Sequence, residues 1–177
     1  MTDNTHRKRI LALDLRPKSF GYVAFEGPRD LLDWGVRSFR RGRNAVRVPA
    51  EKKLAQLLDD LAPEIVVLKQ LDGRKSKGTA KPCRILSATL EQARLRRIPI
   101  RYIPRVLIQD AFEVRNRGSK HEVATLVSNH FPELAFRLPP KRKCWQSEDY
   151  RMSIFDATAL GVAYLNRARS NKSQAPS

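Results

Sequence analysis

The chain is poor in the residues that build metal clusters and disulfide frameworks. Its 177 residues include two cysteines, Cys83 and Cys144, and three histidines, His6, His121 and His130. The cysteines form no CxxC pair, and with the histidines they reach no familiar zinc spacing. Neither thiol has a partner base nearby in sequence, so an incidental thiol is the simpler reading of both. Long apolar runs are missing too; none approaches the roughly 18–20 residues of a membrane span. The segment Met1–Arg9 is polar and basic, so a secretory signal is not expected. Acids are scarce: 18 Asp and Glu stand against 35 Lys and Arg, a formal net charge of +17. With 41% hydrophobic residues the chain has enough apolar material for one folded domain. The expectation is a cytoplasmic protein, with no membrane association, whose positive field draws a polyanion such as nucleic acid.

The positive charge is clustered. Seven basic residues and one acid lie between Arg37 and Lys53, and eight with one acid between Arg74 and Arg97. A third group, Arg137, Lys141, Arg142 and Lys143, sits beside two prolines and Trp145. One such run is as readily a solvated helix face. Three runs, two of them in loop-like sequence, favour phosphate contact. The candidate nucleic-acid contacts are therefore Arg40, Arg41, Arg43 and Arg47; Arg74, Lys75, Lys77 and Lys81; and Lys141, Arg142, Lys143 and Trp145. Trp145 could stack on an unpaired base, or close over the edge of the core. Gly73 and Gly78 frame a basic loop, but no Gly-Lys-Ser/Thr follows, so it is not a phosphate-binding Walker loop.

Hydrophobic periodicity predicts strands at Arg9–Leu15, Phe20–Glu26 and Leu31–Phe39, close enough in sequence to form an antiparallel meander. Ala50–Leu61 has the helical period and Pro63 stops it. A strand at Glu64–Lys69, a helix at Ile85–Arg97 and a strand at Ile98–Ile103 follow. Helices are predicted at Val106–Phe112, at Ser119–His130 with Ser119 and Glu122 in capping-box spacing, and at Met152–Ala168. Residues 1–8 read as a basic tail, 9–168 as one domain and 169–177 as a disordered tail. The order implies an α/β fold with a mixed sheet, a three-strand antiparallel meander on one side and parallel strands on the other, flanked by helices.

Where acids are scarce, an acid in an apolar element needs a reason. Asp14 shares a strand face with Ile10 and Ala12, and a buried carboxylate there requires a cation, a donor or a metal. The plainer alternative is a strand-end Asp that caps the next turn. Asp156 lies in the first turns of an apolar helix, where it could also serve the helix dipole. Glu148 and Asp149 precede that helix as capping acids.

An acid ending a first strand, a meander, and a last helix carrying Asp156-Ala-Thr-Ala-Leu160 resemble the RNase H-like superfold, in its RuvC-like branch of Holliday junction resolvase relatives. The resemblance spans roughly Arg9 to Leu165, and Leu138–Leu160 resembles RuvC-related proteins of unassigned role. It implies carboxylates from the first strand, the fourth strand and the final helix holding two divalent ions, magnesium or manganese, about 4 Å apart against a phosphodiester. It also implies a homodimer. Asp14 and Asp156 match two metal-ligand positions, but Ser153 stands where a second final-helix acid is common, and Lys69 where the fourth-strand Glu is expected. A cation there would repel each divalent ion by about 8 kcal/mol at an effective dielectric near 20. The Lys69 ammonium is accordingly expected to take the metal's place beside Asp14, leaving a nucleic-acid-binding protein, of DNA rather than RNA, without a cofactor. Two alternatives stay open. One is an active magnesium-dependent endonuclease for branched DNA, with Asp14 and Asp156 joined by Asp72, Glu148 or Asp149 as catalytic acids; the other is a non-catalytic protein-interaction or assembly factor.

Overall fold

The structure, a computed structural model, describes residues 8–39, 49–70, 84–114 and 118–173. β1 (Ile10–Arg16), β2 (Ser19–Phe25) and β3 (Leu31–Ser38) form an antiparallel meander. β4 (Ile65–Lys69) and β5 (Ile100–Ile103) extend the sheet in parallel from the other side of β1, giving the order β3-β2-β1-β4-β5. This is the mixed α/β sheet that the sequence predicts.

Strand alternation divides the apolar residues between two faces. Leu11, Leu13, Phe20, Tyr22, Val66 and Leu68 point to one face, where α1 (Ala50–Leu61) and α2 (Arg84–Leu95) cover them. Leu54, Leu57, Leu58 and Leu61 form the buried stripe of α1. That helix ends where Ala62 turns left-handed (φ 43°) and donates its N–H to the Leu58 carbonyl at 3.0 Å. Ile10, Ala12, Val23, Phe25 and Val67 face the opposite layer, built from α3 (Arg105–Ala111), α4 (Lys120–His130) and α5 (Met152–Ser173).

α5 is the central support of that layer. Its first half shows no amphipathic stripe because it is buried nearly all round, from Met152 to Leu160. Phe155 and Leu160, each 1% exposed, contribute roughly 1.5–3 kcal/mol apiece through burial. The helix lies close on β2, and a glycine sits at each point of nearest approach. A Cβ on Gly21 would stand 2.3 Å from the Ser153 carbonyl oxygen, and one on Gly161 would stand 2.1 Å from the Phe25 ring.

The C-terminal boundary differs from the expectation. Residues 169–173, assigned from sequence to a disordered tail, continue α5 to Ser173. No Gly or Pro interrupts the helix there, and the Ser170 hydroxyl donates to the Asn166 carbonyl at 3.1 Å. α2 ends at Leu95 rather than Arg97, because Arg97 takes a positive φ of 56°.

Candidate functional site

β1 runs one residue further than its apolar pattern shows, to Arg16. Two residues apart on one strand, Asp14 and Arg16 project from the same face, the one that α5 covers. Asp14 pairs in register with Gly21 of β2. Because Gly21 lets the start of α5 approach the sheet, Asp156, one turn into that helix, comes to the end of β1.

The Arg16 guanidinium collects three carboxylates. Its Nε donates to Asp14 Oδ2 at 2.7 Å, Nη1 to Glu148 Oε2 at 2.9 Å and Nη2 to Asp156 Oδ2 at 2.9 Å. A second cation reaches two of the same acids: Lys120 Nζ lies 3.0 Å from Glu148 Oε1 and 3.1 Å from Asp156 Oδ2. Lys120 is the first residue of α4, whose start is fixed by reciprocal bonds between Ser119 and Glu122. The fork of an arginine suits this position, since its several N–H groups can serve separate oxygens at once.

The charges respond to each other. Burial, then repulsion from Asp156, holds the Asp14 carboxyl above its ordinary range, and Arg16 and Lys120 only partly offset this. Burial would also raise Glu148, but its hydrogen bond to Lys120 and the charges of Lys120, Arg16 and Arg142 outweigh it and hold Glu148 low. Lys120 loses some of its hydration to burial, yet Asp156 and Glu148 keep its pKa above the ordinary lysine value.

Lys69 projects as strand alternation predicts. It lines a small cavity of about 100 Å³ together with Asp14, Arg105, Gln109, Lys120 and Asp156. Among the described residues it forms no ion pair with Asp14 or Asp156. The expectation that Lys69 neutralises these acids is therefore corrected: Arg16 and Lys120 do so. The reason lies in reach, because Lys69 ends β4 with an exposed side chain, whereas Arg16 grows from the strand that carries Asp14.

Asp149 does not join the cluster. It accepts the backbone N–H of Arg151 at 2.9 Å and forms an ion pair with the Arg151 guanidinium at 2.7 Å, as a local turn before α5. Ser153 turns inward, fully buried, and its hydroxyl donates to the Tyr150 carbonyl at 2.7 Å. Carboxylate oxygens are the right donors for magnesium or manganese. Here, however, Asp14, Glu148 and Asp156 already accept from cations, and the fourth-strand position carries Lys69. Among the described residues no group of three His, Cys, Asp or Glu is disposed to hold a metal ion. The arrangement does not fit a two-ion centre.

Of the candidate nucleic-acid contacts, Arg40, Arg41, Arg43, Arg47, Arg74, Lys75, Lys77 and Lys81 lie outside the described residues, as does Asp72. Lys141, Arg142, Lys143 and Trp145 form an exposed turn between the 3-10 segment Pro132–Arg137 and α5. Arg142 Nη1 donates to the Gln146 carbonyl at 3.1 Å, and the Lys143 ammonium lies 5.4 Å from the Trp145 ring centre. Trp145 is 76% exposed, so it is not a lid over the core. Behind this turn a pocket of about 890 Å³ opens against the start of α4.

Sequence reasoning missed Arg16 and Lys120. The signal for Arg16 was its spacing of two from Asp14, hidden by ending the strand at Leu15. Lys120 stood beside the recognised capping box, with nothing in sequence to link it to acids near residue 150.

No family model matches the chain, and no curated protein matches it in sequence. Solved structures do. Thermus thermophilus RuvC in complex with Holliday junction substrate is 16% identical, covering 93% of this chain and 96% of that one, with a TM-score of 0.65. The yeast mitochondrial Holliday junction resolvase Ydc2 is 14% identical over 95% of this chain and 82% of that one, with a TM-score of 0.61. The fowlpox virus resolvase, in complex with substrate Holliday junction DNA, is 15% identical over 90% of this chain and 98% of that one, with a TM-score of 0.51. Sheet order, final helix and these likenesses agree, and the chain has the RNase H-like fold in its RuvC-like form.

Proposed function

We propose that this chain binds branched DNA and that its own cations, rather than divalent metal, neutralise the carboxylates at the end of the sheet. The observation that carries this reading is the single guanidinium of Arg16 bonded to Asp14, Glu148 and Asp156. A divalent ion entering about 4 Å from that guanidinium would be repelled by about 8 kcal/mol at an effective dielectric of 20. Entry of metal therefore requires Arg16 to leave, with the loss of three charge-assisted hydrogen bonds. DNA as partner is supported by the net charge of +17 and by the junction complexes of the RuvC and fowlpox neighbours.

The test is fluorescence anisotropy with a four-way junction, a linear duplex and an RNA duplex over a series of salt concentrations, alongside cleavage gels with magnesium or manganese. The expected result is preferential junction binding that weakens steeply with salt, no strand cutting, and undiminished binding by Asp14→Asn. Metal-dependent cutting that Asp14→Asn abolishes would replace this reading with the endonuclease one, in which Asp14, Asp156 and Glu148 act once Arg16 has swung away. Failure to bind any nucleic acid would favour a protein-interaction role.

A further inference from the structure

We infer that the pocket between the start of α4 and the 139–150 segment accepts one unpaired nucleotide of a DNA strand, its phosphate on Lys141 and Arg142 and its base against the Tyr150 ring. This rests on the reading that the chain binds branched DNA, and it names the part of that DNA which the pocket would read. The volume, about 890 Å³, falls within the ~300–1,000 Å³ of small-ligand sites.

The lining has the character of an anion site despite its two acids. Glu148 is held by Arg16 and Lys120, and Asp149 by Arg151, so both enter the pocket already compensated. The Arg142 guanidinium donates to the Gln146 carbonyl and its charge also acts on Glu148, while Lys141 forms no ion pair among the described residues; both cations line the pocket, where a phosphate can meet them. The walls are set by bonds within the protein. His121 Nε2 is hydrogen-bonded to the Pro139 carbonyl at 3.1 Å, which ties α4 to the opposite side of the pocket. The Tyr150 carbonyl accepts from the Ser153 hydroxyl at 2.7 Å and from the Ser153 N–H at 3.3 Å. Tyr150 nonetheless remains 62% exposed and lines the pocket, so its aromatic side chain is open to a ligand there.

A base within a duplex stack cannot enter such a recess, whereas an unpaired or unstacked one at a branch can. Sequence-tolerant stacking on an aromatic ring, with cations on the adjoining backbone, is the common physical means of holding single-stranded nucleic acid. Lys120 lines both this pocket and the small cavity beside Asp14. A strand crossing the end of the sheet would therefore pass directly from one to the other.

The experiment uses splayed-arm DNA with 2-aminopurine at the first unpaired position, titrated with the full chain. Wild type should quench the fluorophore on binding. Tyr150→Ala should abolish the quenching and weaken splayed-arm binding roughly tenfold, about the size of one base–aromatic stack, while leaving fully paired duplex affinity unchanged. Tyr150→Phe should behave as wild type. No fluorescence change with wild type, or equal losses on duplex and splayed-arm DNA with Tyr150→Ala, would overturn the inference. If no DNA of any form binds, the proposed function fails by itself, and the pocket is then probed with deoxyadenosine monophosphate by NMR. A saturable shift of the Tyr150 ring signals, lost in the Lys141→Ala, Arg142→Ala double variant, would sustain the nucleotide site; unmoved signals would end it.

Discussion

Arg16 donates through Nε to Asp14, its neighbour but one on the same strand, at 2.7 Å. A contact so local in sequence sets the frame for two distant ones, since the same guanidinium binds Glu148 and Asp156. It thereby ties the end of β1 to α5 and to the segment before it.

Removing Arg16 should therefore cost more than an ordinary surface ion pair. Arg16→Met leaves Glu148 and Asp156 bonded to Lys120, and Asp14 with no bonded cation among the described residues. The expected destabilisation is about 2–4 kcal/mol, somewhat below the ~3–5 of a fully buried pair because the cluster retains solvent contact. Arg16→Lys should recover only part, an ammonium being unable to span three acids as a fork does. Urea unfolding measures both, and an unchanged midpoint for Arg16→Met would deny the guanidinium its role.

Metal response should depend on those cations. Millimolar magnesium or manganese is expected to leave the melting temperature of the wild type unchanged. In the Arg16→Met, Lys120→Met double variant the three carboxylates are freed, and manganese should then raise the melting temperature by about 3 °C or more through ligand linkage. Equal stabilisation of both proteins would show that the cations do not bar the site.

Two acids of the cluster should give opposite pH slopes. Glu148 is held below its ordinary 4.5, so its contribution to stability is complete above that value and is lost as pH falls through the lowered one. Asp14 is held above its ordinary 3.8, chiefly by burial, so its contribution is complete below that value and is lost as pH rises through the raised one. As pH rises through the carboxylate titration range, Glu148→Gln should thus lose ground against wild type, and Asp14→Asn should gain. Denaturation profiles across this range decide it; parallel curves for the two variants would contradict the assignment.

Gly21 is the seat of α5. Gly21→Ala would place a methyl 2.3 Å from the Ser153 carbonyl oxygen, a backbone atom that cannot rotate away. A loss of about 3 kcal/mol is expected, at the upper end of overpacking costs. Faster hydrogen exchange at the start of α5 should accompany it. Gly35→Ala serves as the comparison: its nearest contact is a side chain, Tyr22 at 3.1 Å, rather than backbone, so a shift of a few tenths of an ångström suffices and the loss should be smaller than at Gly21.

Much of the frame was legible from spacing alone. Alternation placed Asp14 with Ile10 and Ala12, and Lys69 with Val67, on the face where they lie. The capping box at Ser119 marked the start of α4. What periodicity could not carry was the meeting of residues from separate elements. Lys120 and Glu148 are 28 positions apart and neither belongs to an apolar pattern, so only the fold brings them to one oxygen-to-nitrogen distance of 3.0 Å. The strand end was misjudged at Arg16 for a related reason. A charged residue closing an apolar run looks like a boundary, although here its charge is satisfied within the strand's own face. Lys69 drew attention because it breaks an expected pattern, while the residue that holds the acids fits none.

Lys120 lies on the boundary between the two cavities, bonded to Glu148 and Asp156 on one side and open to the larger pocket on the other. An anion settling in that pocket competes with both carboxylates for the same ammonium. Whatever it gains from Lys120 loosens the acids, and whatever tightens the acids repels the anion less but holds Lys120 back from it. By thermodynamic reciprocity, occupancy of the pocket by an anion and closure of the carboxylate cluster would then be coupled through this one lysine.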